Sequence, residues 1–125
     1  MNYLFDVNAL LSLCHDGPHR PRLRVWMGRQ SDARYHTCAI TELGFLRISM
    51  GVYKFDRATA MRALADAKRD MHGYLDTLPP PALAAWCDTH GKTTDTYLCQ
   101  LAAANGMKLV TFDTAIKDKA ALVIP

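Results

Sequence analysis

Four acidic residues stand at positions where a folded chain has little use for charge. Asp6 ends the apolar run that starts at Asn2, and Asp113 ends a second run, Lys108 to Phe112. Glu42 lies inside the apolar frame Ala39-Ile40-Thr41-Glu42-Leu43-Gly44-Phe45-Leu46, and Asp95 follows Thr93-Thr94. Carboxylates gathered in one place repel: two of them about 4 Å apart cost about 4 kcal/mol at an effective dielectric near 20. Such a group needs protons, helix N-termini or a cation at neutral pH. Hard oxygen ligands with no histidine or thiolate among them suit Mg²⁺ or Mn²⁺ better than zinc. A bound ion of this kind acidifies water and polarises a phosphoryl oxygen, which is the chemistry of metal-dependent phosphodiester hydrolysis. Each acid also has an ordinary structural role open to it. Asp95 can cap a helix or sit in its first turn, Glu42 can be a first-turn acid, and Asp113 can make a turn. Asp6 is the hardest to explain that way, because it interrupts a run that should be buried.

The elements that must bring these acids together follow from the pattern. Asn2 to Asp6, Tyr35 to Ala39 and Lys108 to Phe112 are expected as strands, with a last short strand at Leu122 to Ile124. Helices are expected over Val7 to Cys14, about His19 to Gly28, and from a Thr41 cap to about Met50. Further helices are expected over Arg57 to Lys68 behind an Asp56 cap, Ala82 to Thr89, and Thr93 to Ala104, the last ended by Asn105-Gly106. His72 to Leu78 reads as extended, broken by Pro79-Pro80-Pro81. Strands alternating with helices predict an α/β sandwich on a mainly parallel sheet. In such sheets ligands bind beyond the carboxyl ends of the strands. All four acids fall at βα junctions or helix N-termini, so topology places them on that same edge.

The 125 residues fit one domain, half of them apolar and 22% charged, which excludes a disordered chain. Fifteen Lys and Arg against 12 acids leave a formal charge of +3, too small to diagnose nucleic-acid binding by itself. No apolar run is long enough for a membrane span, and Met1 to Asp6 makes a poor signal peptide. Cys14, Cys38, Cys87 and Cys99 contain no CxxC pair and are expected as free thiols of a cytoplasmic protein.

The segments that carry the acids resemble a known family. Leu4-Phe5-Asp6-Val7-Asn8-Ala9-Leu10-Leu11 resembles the opening motif of PIN-domain nucleases, and Thr41-Glu42-Leu43-Gly44-Phe45-Leu46-Arg47 their central acidic helix. Thr94-Asp95-Thr96-Tyr97-Leu98, Leu101 to Gly106 and Leu109-Val110-Thr111-Phe112-Asp113 resemble the C-terminal half, in order. Only Asp56 to Lys92 lacks family character. The resemblance, at the size of VapC-type toxins, implies a PIN-like three-layer α/β/α sandwich. It implies a Mg²⁺- or Mn²⁺-dependent endoribonuclease of a type II toxin–antitoxin module, restrained by a VapB-type antitoxin and commonly a homodimer. Carried over, Asp6, Glu42, Asp95 and Asp113 take the catalytic and metal positions, Asn8 a supporting polar position and Thr111 the hydroxyl of the last strand motif. The family often has a further Asp near position 114, where this chain has Thr114. One firmly held ion is therefore expected, a second only with substrate.

Two other function classes fit the length. A flavodoxin-like phosphoacceptor or signalling module would need paired acids after the first strand and a lysine after the last. Asp6-Val7-Asn8 supplies one acid, and Asp113 stands where the lysine belongs. A PIN-fold module that binds RNA or protein without cutting has no need of four acids. Among the remaining residues, His19, Arg20, Arg22, Arg24, Arg29 and Arg34 are either a solvated face or a phosphate-tracking edge. Arg47 is open between an acid partner and RNA. The pairs His15/His19 and Cys87/His90 have chelate-like spacing without a second pair, so zinc is not expected. Trp26 and Trp86 are expected as core or interface aromatics, and Tyr97 in the core.

Overall fold

The computed structural model describes residues 1–125. Its five strands are β1 (Asn2–Phe5), β2 (Arg34–Cys38), β3 (Gly73–Leu75), β4 (Lys108–Thr111) and β5 (Ala121–Val123). They form one sheet in the order β3-β2-β1-β4-β5, and every neighbouring pair is parallel. Parallel neighbours require crossovers. The helices α1 (Val7–Leu11), α2 (His19–Gly28), α3 (Ala39–Gly51), α4 (Arg57–Lys68) and α5 (Thr93–Ala104) supply those leading from β1 to β4, while the link from β4 to β5 contains no helix.

Side chains alternate across each strand, and the alternation divides the core in two. Tyr3, Phe5, Tyr35 and Val110 point to one face, where Leu10, Leu23, Phe45 and Leu64 of α1 to α4 cover them. Leu4, Cys38 and Leu109 point to the other, beneath Leu98, Leu101 and Ala102 of α5. This is the three-layer α/β/α sandwich expected from the sequence. Both faces of the sheet are covered, which is why β1 and β4 read as continuous apolar runs.

Several boundaries differ from expectation. The α1 helix closes at Leu11, and turns carry the chain through Cys14. The α3 helix begins at Ala39, so Thr41 is not its cap. The Thr41 hydroxyl instead donates to the Phe5 carbonyl at 2.9 Å, tying α3 to the end of β1. Ala82 to Thr89 is not helical. Three consecutive prolines before it remove backbone donors, Cys87 N closes a turn on Ala84 O at 2.9 Å, and α5 straps the segment down. The Tyr97 hydroxyl donates to the Pro79 carbonyl at 2.5 Å, and the Gln100 amide bonds both Pro80 O (3.0 Å) and Ala82 N (2.8 Å). Only a short 3₁₀ turn, His90–Lys92, precedes α5. The Asp56 cap is present, accepting from Thr59 N at 2.8 Å, and Gly106 takes the left-handed conformation (φ 66°) just past α5. All four cysteines are free. No helix is long and apolar enough to cross a membrane.

Candidate active site

The strand order reverses between β1 and β4: the chain leaves β1 toward β2 and later crosses back to β4 on the other side. Beyond the carboxyl ends of these two strands lies the crevice that open α/β sheets use for ligands. Asp6 follows β1 directly, and Asp113 follows β4 by two residues.

Asp6 is held on all sides. Its amide donates to Val110 O at 2.9 Å, extending the β1–β4 ladder by one bond. Its Oδ1 caps α1 by accepting from Val7 N at 2.8 Å, and its Oδ2 accepts from the Thr111 hydroxyl at 2.7 Å. That hydroxyl also accepts from Asp113 N (3.1 Å) and Asn8 Nδ2 (3.4 Å), so its one donor and both lone pairs are used. Asn8 Oδ1 accepts from Phe112 N at 3.2 Å, which joins α1 to the turn after β4. Asp6 is only 4% exposed. Burial pushes its carboxyl above the ordinary value, the hydrogen bonds from Thr111 and Val7 oppose this, and the charge of Asp113 adds to it.

Asp95 belongs to the first turn of α5. It is not the cap, because that position is Lys92, which offers no side-chain bond. Burial, followed by the charges of Asp6 and Asp113, pushes the Asp95 carboxyl up to about 6. Asp113 makes a local turn by accepting from Ala115 N at 2.8 Å, while its charge bears on both Asp6 and Asp95. These three aspartates thus share one electrostatic neighbourhood.

Glu42 is differently placed. One of its oxygens accepts a short hydrogen bond from the buried Thr37 hydroxyl, and the other lies 3.1 Å from Lys68 Nζ at the end of α4. The alternation of β2 puts Thr37 on the face of Tyr35, toward α3 and α4, whereas Asp6 and Thr111 continue the α5 face of β1 and β4. No three His, Cys, Asp or Glu side chains close around a common point. Carboxylates without a countercharge between them are expected to stand apart in this way. The donor set nevertheless suits a hard divalent ion. Its members are carboxylate oxygens, and two of the carboxyls are raised by burial and mutual repulsion, both of which a cation would offset.

The other singled-out residues serve mainly structure. Arg20 pairs with Asp16 (2.6 Å) and Arg24 with Asp70 (3.2 Å). Arg22 donates to the carbonyls of Ile124 (3.0 Å) and Pro125 (2.9 Å) and lies over the Phe112 ring. His15 and His19 diverge: His15 bonds Ser49 and stacks on Tyr53, while His19 stacks on Phe112. Trp26 packs edge-on against Tyr3, and Trp86 donates to Asp118 at 2.9 Å. A cavity of about 510 Å³ opens beside the first turn of α5, between Ile40, Pro81, Leu83 and Tyr97. It has no titratable carboxylate or imidazole in its wall, so the chemistry belongs to the neighbouring acids. Sequence reasoning did not single out Thr37 or Lys68. A polar residue in the middle of an expected strand, five residues before Glu42, could have marked the first; nothing in the sequence marked the second.

The family model for the PIN domain matches residues 3–122. The chain belongs to the PIN-domain family. This PIN domain is 32% identical to Ribonuclease VapC38 of Mycobacterium tuberculosis (strain ATCC 25618 / H37Rv) over 124 residues, covering 90% of the chain and 86% of the relative. It is 33% identical to Ribonuclease VapC39 of the same strain, covering 96% of the chain and 94% of the relative. Among solved structures it resembles VapBC2 from Rickettsia felis bound to a DNA fragment from their promoter. There the TM-score is 0.62 at 15% identity, with 98% of this chain and 97% of that chain covered. It also resembles VapBC-1 from nontypeable Haemophilus influenzae, with a TM-score of 0.56 at 16% identity over 90% of this chain and 87% of that chain. At these identities the structural likeness is one of fold, and it matches the all-parallel sheet with helices on both faces.

Proposed function

We propose that this PIN domain is the toxin of a type II toxin–antitoxin pair and acts as a divalent-metal-dependent endoribonuclease in the cytoplasm. The carrying observation is the group Asp6, Asp95 and Asp113 at the strand-order reversal, where burial and like charge raise Asp6 and bring Asp95 to about 6. A site that holds carboxylates at such cost is arranged for a cation. The ribonuclease relatives support RNA as substrate, and the VapBC neighbours support a VapB-type antitoxin partner. A homodimer is part of the same proposal.

Asp6, Asp95 and Asp113 would hold Mg²⁺ or Mn²⁺, directly or through water. When bound, the ion supplies neutralising charge, a more acidic water and polarisation of the phosphoryl oxygen. Thr111 and Asn8 fix the Asp6 carboxylate and the turn after β4, so that the oxygens are set before substrate arrives. Glu42, once free of Lys68, would complete the shell of the ion or orient the attacking water. In-line attack forms the new P–O bond as the P–O3′ bond breaks and O3′ takes a proton from solvent water, leaving a 5′-phosphate on one fragment and a 3′-hydroxyl on the other. The RNA 2′-hydroxyl takes no part.

The test is cleavage of cellular RNA with Mg²⁺ by the purified chain and by its Asp6→Asn and Asp95→Asn variants. Each variant should lose roughly a hundredfold or more in rate. Undiminished cleavage by both would end the assignment.

A further inference from the structure

Five ion pairs are present in the fold, and one differs in kind. In four of them the acid is widely open to solvent, its side chain 40% to 94% exposed. In the fifth, Glu42 is 13% exposed, and Lys68 reaches it from the last residue of α4. Both Glu42 oxygens are engaged, Oε2 by the buried Thr37 hydroxyl and Oε1 by Lys68 Nζ. The same ammonium lies 5.3 Å from the centre of the Tyr74 ring on β3, which also interacts with its charge. The other three acids of the set have no lysine or arginine bridging them.

We propose that Lys68 is a resident counter-ion of Glu42, which gives way when a divalent ion binds and so sets the concentration of ion the site requires. This rests on the metal-dependent reading above and extends it to a residue outside the acidic set. The ammonium takes the one Glu42 oxygen that Thr37 leaves free. The Thr41–Phe5 bond ties the first turn of α3, which carries Glu42, to the residue before Asp6, so a divalent ion at the aspartates repels Lys68 as it attracts Glu42. Tyr74 offers the displaced ammonium a π face within reach of the same side chain. Lys68 acts through Glu42 and is therefore a positioning residue.

The experiment measures Mn²⁺ affinity by electron paramagnetic resonance in the full chain. Variants are Lys68→Met, Lys68→Arg, Glu42→Gln, the Lys68→Met/Glu42→Gln pair and Asp6→Asn. Removing a competing, partly enclosed ion pair should tighten Mn²⁺ binding about fivefold in Lys68→Met. Lys68→Arg should bind as the unaltered chain does, and Lys68→Met should add nothing in the Glu42→Gln background. In the unaltered chain, adding Mg²⁺ should shift the Lys68 side-chain ammonium resonance, a readout that needs no variant. Unchanged or weaker affinity in Lys68→Met, equal tightening without Glu42, or an ammonium signal indifferent to Mg²⁺ would overturn the proposal. Asp6→Asn separates the two levels. If it weakens Mn²⁺ binding while Lys68→Met has no effect, only the role of Lys68 falls; if Asp6→Asn binds normally, the metal reading falls too.

Discussion

The Thr111 hydroxyl donates to Asp6 Oδ2 across 2.7 Å, joining residues 105 positions apart at the ends of the two strands where the sheet order reverses. This contact makes Thr111 an organiser of the acidic crevice. The Thr111→Val substitution preserves shape but removes the donor to Asp6 and the acceptor used by Asp113 N and Asn8. A buried carboxylate oxygen left unpaired costs about 1–3 kcal/mol. Denaturant unfolding should show a loss of that size, accompanied by reduced RNA cleavage, whereas Thr111→Ser should recover much of both. A stability unchanged in Thr111→Val would show that water serves Asp6 equally well.

The raised carboxyl of Asp95 makes a pH prediction with a definite sign. Its value in the folded chain is about 6 against the ordinary 3.8, so between these pH values the folded state binds more protons than the unfolded. The contribution of Asp95 to stability is fully present below about 3.8 and is lost as pH rises through about 6. Without divalent ion, Asp95→Asn should therefore have a higher Tm than the unaltered chain at pH 7, and the difference should vanish near pH 4. Thermal melts across this range check it. A variant less stable at pH 7 would mean that burial and the neighbouring charges do not disfavour the Asp95 carboxylate.

Gly44 lets α3 approach the start of α1. A Cβ there would fall 2.6 Å from Val7 Cγ2, and Val7 is the residue whose amide binds Asp6. The stiff, β-branched Val7 has little room to turn away. Overpacking of this kind costs about 1–3 kcal/mol, so Gly44→Ala should unfold at lower denaturant and bind divalent ions less well. Shortening the opposing residue in Gly44→Ala/Val7→Ala should restore stability beyond the sum of the single effects. Simple additivity would contradict the contact.

The sequence leaves Arg22 open between a solvated face and a phosphate-tracking edge; its guanidinium is committed to the main-chain oxygens of Ile124 and Pro125 and to the Phe112 face. Replacing it with alanine should lower stability by about 1–2 kcal/mol through lost charge-assisted bonds and packing. The salt dependence of RNA binding should stay as it was. A smaller salt slope would assign Arg22 to a phosphate contact instead.

The parts of the fold legible in the sequence are those in which local pattern and tertiary need agree. Asp6 and Asp113 stood out because each ends a run buried on both faces, and that same burial places them at the sheet edge. Asn105-Gly106 and Asp56 announced helix ends that need no distant partner. The failures have a common cause. Ala82 to Ala85 has helix-forming composition, but the three preceding prolines and the grip of Tyr97 and Gln100 keep the segment out of a helix. Thr41 looked like a cap, yet its hydroxyl serves the Phe5 carbonyl across the fold. The engagement of Glu42 depends on how α4 lies along α3, which brings Lys68 over from 26 residues away. No local pattern carries that information.

The position of a bound divalent ion decides whether Asp6, Asp95 and Asp113 form a metal site. Crystals grown with Mn²⁺, with diffraction recorded at the manganese absorption edge, locate it by anomalous scattering. The predicted result is one strong peak within bonding reach of carboxylate oxygens from Asp6, Asp95 and Asp113 at the end of β1 and β4. A peak elsewhere, or none at those carboxylates with Mn²⁺ in excess, would contradict it.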